Sequence, residues 1–349
     1  MMKLKTYRPW LMLLLVAIAV SGCERETQVK LPAHTPRLVV HAYVQTDSLF
    51  RVALGKTFAA DVLLPEGDTY VTGATLQLYE NGSLKETLAY DAVSKRYYSI
   101  STRAAAGKTY RLVVSAPGFE TAEATSIAPF LVSTQSAIIR RNVRTDENGN
   151  PLNDIIFKFA DPASTTDYYL AEVNRPVTSN SGFCVYSYDP VIEKYQATLN
   201  PFSATSCISN KEVLFSDRSF NGQVKEITIS ADKTYTEETV NAITGDTLRP
   251  YLKRYCITAD YFRFVKNIIA LNEVNNDPFA RPVANFTNVK NGYERFTVYS
   301  AVTDKKISGL LLKAITNMLL LAVEIDVISK NLRNFLSSKV IFLVGSFLF

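Results

Sequence analysis

The chain has 349 residues, of which 47% are hydrophobic and 20% charged, with a formal net charge of +5. That length allows two domains of ordinary size, and the apolar fraction supports packed cores, which excludes a disordered chain. The charge does not mark a nucleic-acid binder. Residues 1–22 carry +3 and residues 303–349 another +3, so residues 23–302 carry −1 and offer no basic stripe for phosphates.

The N-terminus carries an address. Lys3, Lys5 and Arg8 precede an apolar run from Trp10 to Val20, which ends in Val20-Ser21-Gly22-Cys23. The run is too short to span a bilayer and has the flanks of a signal peptide. Small residues before a cysteine fit a lipobox, with cleavage before Cys23 and acyl chains on its sulfur. Each buried acyl methylene contributes about 0.8 kcal/mol, so several chains make a stable membrane anchor. Residues 23–36 read as a polar, flexible tether. Glu24-Arg25-Glu26 within it fits a plain solvated tether or a surface-export signal equally well.

Three further cysteines remain. Cys184 and Cys207 bracket a polar, turn-rich segment and are expected to form a disulfide, leaving Cys256 as a buried thiol. No CxxC string occurs, so no structural zinc is expected, and nothing in the sequence asks for a metal or other cofactor. The only histidines, His34 and His41, lie in or just past the tether, which argues against histidine-based catalysis.

Residues 37–129 read as short strands split by turns. Arg37–Val44 opens the series. Leu76 and Leu78 alternate with polar neighbours, and Asn81-Gly82 predicts a type I′ hairpin turn into Leu84–Tyr90. Tyr97–Ile100 follows, then Tyr110–Val114, with Tyr110, Leu112 and Val114 on one face. This spacing predicts a β-sandwich of immunoglobulin-like build. Residues 130–302 read as a second β-rich domain. Phe157 and Phe159 alternate before a break at Asp161-Pro162, Tyr168–Val173 is a strand, and Ile227 and Ile229 follow a hairpin turn at Asn221-Gly222. One helix is predicted over 260–274, capped by Asp260, with Tyr261, Phe264, Val265, Ile268 and Leu271 packed on the sheet.

The tail over 303–349 is apolar and is expected to be helical. Lys313, Glu324 and Asp326 make it a poor membrane span. It reads as an amphipathic appendage, a poor membrane segment or, preferred, sequence foreign to the body, so that truncation after Val302 leaves folding intact. The fold expectation is therefore mainly β, in two domains with one amphipathic helix.

Few constellations carry chemistry. Asp146, Asn148, Asn150 and Asp154 approach calcium-loop spacing, but Pro151 and Phe157 stand where glycine and glutamate are needed, so a polar hairpin loop is the better reading. Asp217 with Glu226, and Glu237-Glu238, have no companion motif and read as surface charge. No nucleophile-elbow, P-loop or zinc-protease string occurs. Among the 19 tyrosines, the pairs Tyr97-Tyr98 and Tyr168-Tyr169 are candidate ligand or partner contacts, because one ring of each pair faces outward on a strand. Ordinary sandwich packing explains the same residues.

Several strings resemble a Bacteroidota lipoprotein family known as domain of unknown function 4249. After the lipobox come Arg37-Leu38-Val39-Val40, Gly73-Ala74-Thr75-Leu76 and Gly107-Lys108-Thr109-Tyr110-Arg111-Leu112. Asp167-Tyr168-Tyr169, Leu214-Phe215-Ser216-Asp217 and Phe220-Asn221-Gly222 come next. Asp277-Pro278-Phe279-Ala280-Arg281-Pro282, then Asn288-Val289-Lys290-Asn291-Gly292 and Phe296, complete the set. The resemblance covers about residues 20–302. It departs at Tyr293-Glu294-Arg295, where the family usually has glycine and a small apolar pair. It implies an outer-membrane, lipid-anchored protein on the periplasmic or cell-surface face, similar in setting to lipoproteins encoded beside TonB-dependent receptors. It supplies no catalytic residue. The expected function is a binding or accessory subunit of such a transporter, not an enzyme. An independent glycan- or protein-binding adhesin is the alternative, and a hydrolase a third. The expected partners are the membrane, through the lipid, and the receptor, with no nucleic acid.

Replacing the lipidated residue tests the anchor: Cys23→Ala is expected to lose the acyl chains and normal processing before residue 23. A variant that stays membrane-bound and normally processed contradicts it.

Overall fold

The computed structural model describes residues 33–59, 69–146, 148–174, 184–193, 212–240, 247–248, 250–274, 283–304 and 308–309. The chain divides into two units, Met1–Pro36 with Phe58–Leu64, and Arg37–Thr57 with Pro65–Phe349. In the first, the described residues 33–36 and 58–59 belong to no helix or strand. All the regular structure described below lies in the second.

Period-two alternation builds the first half. β1 (Leu38–Gln45) and β2 (Leu49–Lys56) bury Leu38, Val40, Ala42 and Val44, and Phe50, Val52 and Leu54. β3 (Thr75–Glu80) turns into β4 (Ser83–Thr87) through Asn81 and Gly82, whose φ values of 49° and 85° suit the type I′ turn read from the sequence. Buried Leu88 then carries the chain across to the other sheet, where β5 (Ala89–Asp91) pairs with β6 (Arg96–Arg103). β7 (Thr109–Ser115) and β8 (Ala122–Ile127) complete the series. One core joins both layers, with Tyr110, Leu112 and Val114 on the inward face of β7.

The second half begins with β9 (Thr134–Thr145) and β10 (Pro151–Ala160), joined as a hairpin. β11 (Tyr168–Asn174), β12 (Val185–Tyr186), β13 (Glu212–Ser216) and β14 (Val224–Asp232) come next. β15 (Thr239–Val240) pairs only with β16 (Thr247–Leu248) among the described residues, and β17 (Tyr251–Ile257) returns to the sheet. After the helix α1 (Ala259–Val274) come β18 (Val289–Lys290), β19 (Gly292–Asp304) and β20 (Ser308–Gly309).

The strand order revises the expected domain boundary. One sheet runs β13-β11-β17-β19-β1-β2-β6-β5 through both halves, and β12-β14-β10-β9-β20 and β18-β8-β7-β3-β4 pack against its two ends on the same face, since Ser300 and Cys256 are paired and each half's core lies on that face. Two hydrophobic cores do separate near residue 130. The sheet does not, because β19 pairs parallel with β1 from Gly292↔Leu38 to Tyr299↔Gln45 and antiparallel with β17 from Asp304↔Leu252 to Ser300↔Cys256. Residues 289–299 therefore finish the first sandwich, and Val289, Phe296 and Val298 lie in its core. Local periodicity carries no signal for a parallel pairing between strands so far apart in sequence.

Side chains fix this junction. Asn288 mimics a strand residue: its Oδ1 accepts from the Phe296 amide at 3.0 Å, and its Nδ2 donates to the Phe296 carbonyl at 2.8 Å. At Gly292 a Cβ would stand 2.8 Å from the Leu38 carbonyl oxygen, so only glycine permits the approach to β1. β19 extends to Asp304, past the expected end of the domain at Val302, and β20 adds a strand to the β9 edge. Truncation after Val302 would thus remove the ladder partners of Lys253 and Leu252. The tail expected to be helical begins instead as strand, at residues 303–304 and 308–309, and the rest of it lies outside the described residues.

The helix α1 covers the outer face of the long sheet. Phe262 joins Leu170, Leu214, Tyr255, Ile257 and Tyr299, with Tyr261 and Val265 beside them. The expected cap is corrected: Thr258 Oγ1 accepts the Tyr261 amide at 3.1 Å, while Asp260 lies in the first turn beside Arg263. The expected stripe also shifts, since Phe262 is buried and Ile268 is exposed. The turn at Asn221-Gly222 is likewise not a hairpin, because β13 and β14 belong to different sheets.

Glu294 has φ of 73°, the left-handed region, at the place where the resemblance expects glycine and a small apolar pair. Its side-chain partners are Arg295 Nη1 at 3.1 Å and an exposed His41 Nδ1 at 3.5 Å, ion pairs near the surface and of small value. Glu294→Gly is therefore expected to raise the stability of the chain by about 1 kcal/mol in urea unfolding. A loss of stability would show that the side chain's contacts outweigh its backbone strain.

Candidate functional site

Four strand ends meet at one end of the second sandwich. β10 and β14 pair there through Ala160 and Val224, and β11 and β13 through Tyr168 and Ser216. The loops that cross between the two layers bring Asp161, Asp167 and Asp217 together, with one carboxylate oxygen of each within 4.8 Å of the others. Asp161 is 6% exposed and Asp217 fully buried.

Local hydrogen bonds hold the three in place. Tyr169 donates its hydroxyl to Asp161 Oδ1 at 2.5 Å, and the Gly222 amide donates to Asp161 Oδ2 at 3.0 Å. The Asp167 amide donates to Asp217 Oδ2 at 2.8 Å, and the Asp217 amide returns a bond to the Asp167 carbonyl at 3.1 Å. Thr165 donates to Asp167 Oδ2 at 2.6 Å. Asp217 Oδ1 is buried and finds no hydrogen-bond partner among the described residues. Gly222, at φ of 73°, packs so closely that a Cβ would stand 2.6 Å from that of Ala163. The loop is thus shaped by glycine at a position no other residue fits without strain.

The electrostatics are unfavourable for three charges. Burial pushes the Asp167 and Asp217 carboxyls above the ordinary carboxylate range, and Asp161 adds repulsion to both. No ion pair reaches the three among the described residues. Tyr169, which bonds Asp161, also lies beside the fully buried Arg254, whose guanidinium is 4.5 Å from the Phe159 ring centre and 5.8 Å from that of Tyr169. Its Nη2 donates to the Val132 carbonyl, while Nε and Nη1 are without partners among the described residues. Burial lowers its pKa.

A family model described as Domain of unknown function (DUF4249) matches residues 24–305. The chain belongs to this family. The matched stretch spans both sandwiches and contains all three aspartates. No curated protein matches the chain in sequence. Among solved structures, an alpha-2-macroglobulin from Escherichia coli is similar with 9% identity and a TM-score of 0.23, covering 66% of this chain and 15% of its own. A Salmonella alpha-2-macroglobulin mutant gives 8%, 0.25, 67% and 14%. A family 2 glycosyl hydrolase from Bacteroides cellulosilyticus gives 13%, 0.17, 60% and 21%. The chain thus spans about a fifth or less of the length of these proteins, and likenesses this distant carry no functional argument.

The residues singled out from the sequence of this family member fall in different places. Cys23 and Cys207 lie outside the described residues. Cys184 is disulfide-bonded, and Cys256 is free and buried, its thiol pKa raised by burial. Tyr97 is corrected from contact to core: its hydroxyl donates to the Val71 carbonyl at 3.1 Å and accepts the Ala74 amide at 3.0 Å. Tyr169 is likewise core, bound to Asp161, and Tyr168 packs under α1 with its ring 4.8 Å from Phe262. Tyr98 alone of the four faces solvent. The Asp146 loop is a closed hairpin turn, with Asp146 Oδ1 accepting the Asn148 and Asn150 amides at 2.9 and 2.8 Å. Asp154 points away from it, into a pair with Arg144 at 2.9 Å. Asp217 does not meet Glu226, which is exposed; it meets Asp161, read from the sequence only as a strand break, and Asp167, which appears there only in a family string. The one signal available was that Asp167 and Asp217 both stand in strings shared with the family.

A carboxyl whose pKa folding raises stabilises the fold below its unfolded pKa, near 4, and loses that contribution as pH rises through the folded value. In EDTA at about pH 7, Asp217→Asn is therefore expected to raise the melting temperature. The gain should vanish toward about pH 4, where the native carboxyl is protonated. Thermal melts across this range read it, and a variant less stable than the native chain at the upper pH contradicts it.

Proposed function

We propose that this chain is a lipid-anchored protein of the outer membrane that acts by binding, as an accessory subunit of a TonB-dependent transporter. The observation that carries the reading is where the family match begins: at Glu24, the residue after the lipobox cysteine. The charged, apolar and small-residue segments before it have the order of a lipoprotein signal. Beyond Cys23 lie a short polar segment and then two joined β-sandwiches, an architecture that presents loops and sheet edges on a rigid body. The family's resemblance in setting to receptor-associated lipoproteins supplies the partner.

The three converging carboxylates do not favour a hydrolase. Acid–base work on a substrate requires groups that reach it, and Asp161 and Asp217 are buried beneath their own loops. An open polar groove of about 390 Å³ lies elsewhere, lined by Glu123, Thr125, Asp260, Thr287, Asn288 and Lys290. Its charged groups include Glu123 beside Arg111 and Asp260 beside Arg263, an arrangement suited to a polar contact. Exposed tyrosines, Tyr98 among them with Tyr70, Tyr188 and Tyr293, favour the second reading, an independent glycan- or protein-binding adhesin.

Affinity capture of the tagged chain from outer membranes distinguishes the two. The transporter reading expects a TonB-dependent receptor in stoichiometric yield. Recovery of no receptor, together with glycan-array binding lost in Tyr98→Ala, would replace it with the adhesin.

A further inference from the structure

The acidic cluster goes beyond that reading and stands on its own geometry. Its three aspartates come from two loops that join opposite layers of the second sandwich, and they sit on backbone fixed by strand ends, by Gly222 against Ala163 and by reciprocal bonds between Asp167 and Asp217. Three like charges in so small a space demand either protons or a cation. The buried Oδ1 of Asp217, without a hydrogen-bond partner among the described residues, is the oxygen that neither the loops nor the strands satisfy. A buried polar atom left this way costs free energy unless something else binds it.

We propose that Asp161, Asp167 and Asp217 form a calcium site that ties the two layers of the second sandwich together at one end. The donors are all oxygen, which selects a hard cation over zinc or copper. Their spacing bears on the choice among hard cations. Two oxygens on one magnesium ion stand at most about 4.2 Å apart, and on calcium about 5 Å, from metal–oxygen distances near 2.1 and 2.5 Å. The carboxylate oxygens here lie within 4.8 Å of one another, a spread that calcium covers in full without movement of a ligand. The bonds that Asp161 accepts from Tyr169 and Gly222 use one lone pair on each oxygen, and a carboxylate offers about four such sites. Tyr169 and Gly222 therefore aim the carboxylate without consuming it.

Calcium, terbium and one substitution test this on the full chain. Calcium is expected to bind in the range of about 0.1–1 mM found for extracellular modules. At saturating calcium the melting temperature should rise by about 3–6 °C over that in EDTA, with a smaller rise in equal magnesium. Terbium emission excited through tyrosine should be saturable and displaced by calcium, since Tyr169 touches a ligand. Asp217→Asn should melt at or above the native temperature in EDTA, which shows that it folds, and should lose both the calcium shift and the terbium signal. An unchanged native melting temperature with no saturable terbium emission overturns the site. So does a calcium shift that survives in Asp217→Asn, and an equal response to magnesium overturns the selectivity.

Discussion

The body of this protein depends on one strand. β19 lies between β1 and β17, and without it the long sheet would part into two pieces with open edges. Its side chains serve three packings. Phe296 and Val298 enter the first core, and Tyr299 stacks on Tyr43 under the helix at 4.0 Å. Ser300 Oγ donates at 2.6 Å to the Pro129 carbonyl, where the chain passes from one half to the other. Two cores of modest size thereby share one hydrogen-bonded frame, and each gains from the burial of the other.

How much of the fold is legible in the sequence depends on the range of each interaction. Alternation is local, so the inward faces of β1, β3 and β7 and the helix near residue 260 can be read directly. The Asn81-Gly82 turn is local too, because both residues must take positive φ. Pairings are not local. Nothing near Leu38 announces Gly292, and the domain boundary drawn at residue 130 tracks the cores while missing the sheet that crosses it. The cap at Thr258 and the inward position of Phe262 escaped for a smaller reason: a one-residue rotation of the helix face leaves the periodic pattern almost unchanged.

The candidate site was illegible for the same cause as β19. Asp161 reads as a strand break before proline, Asp217 as surface charge, and Asp167 only as part of a string shared with the family. Only the crossing of two loops over one end of a sandwich turns them into a cluster. The tyrosines show the reverse. Their sequence pattern suggested a contact surface, yet Tyr97 and Tyr169 spend their hydroxyls inside the fold, one on backbone and one on Asp161. A polar tip on an aromatic body suits both places, and only burial tells them apart.

Denaturant-dependent amide hydrogen exchange tests the shared frame most directly. If β19 joins the halves, amides of β1 and β17 should reach exchange through one common global opening, with the same free energy and the same denaturant dependence. Two separate openings, one for residues 38–127 and another for residues 134–257, would show that the halves are independent domains and that the strand between them does not couple them.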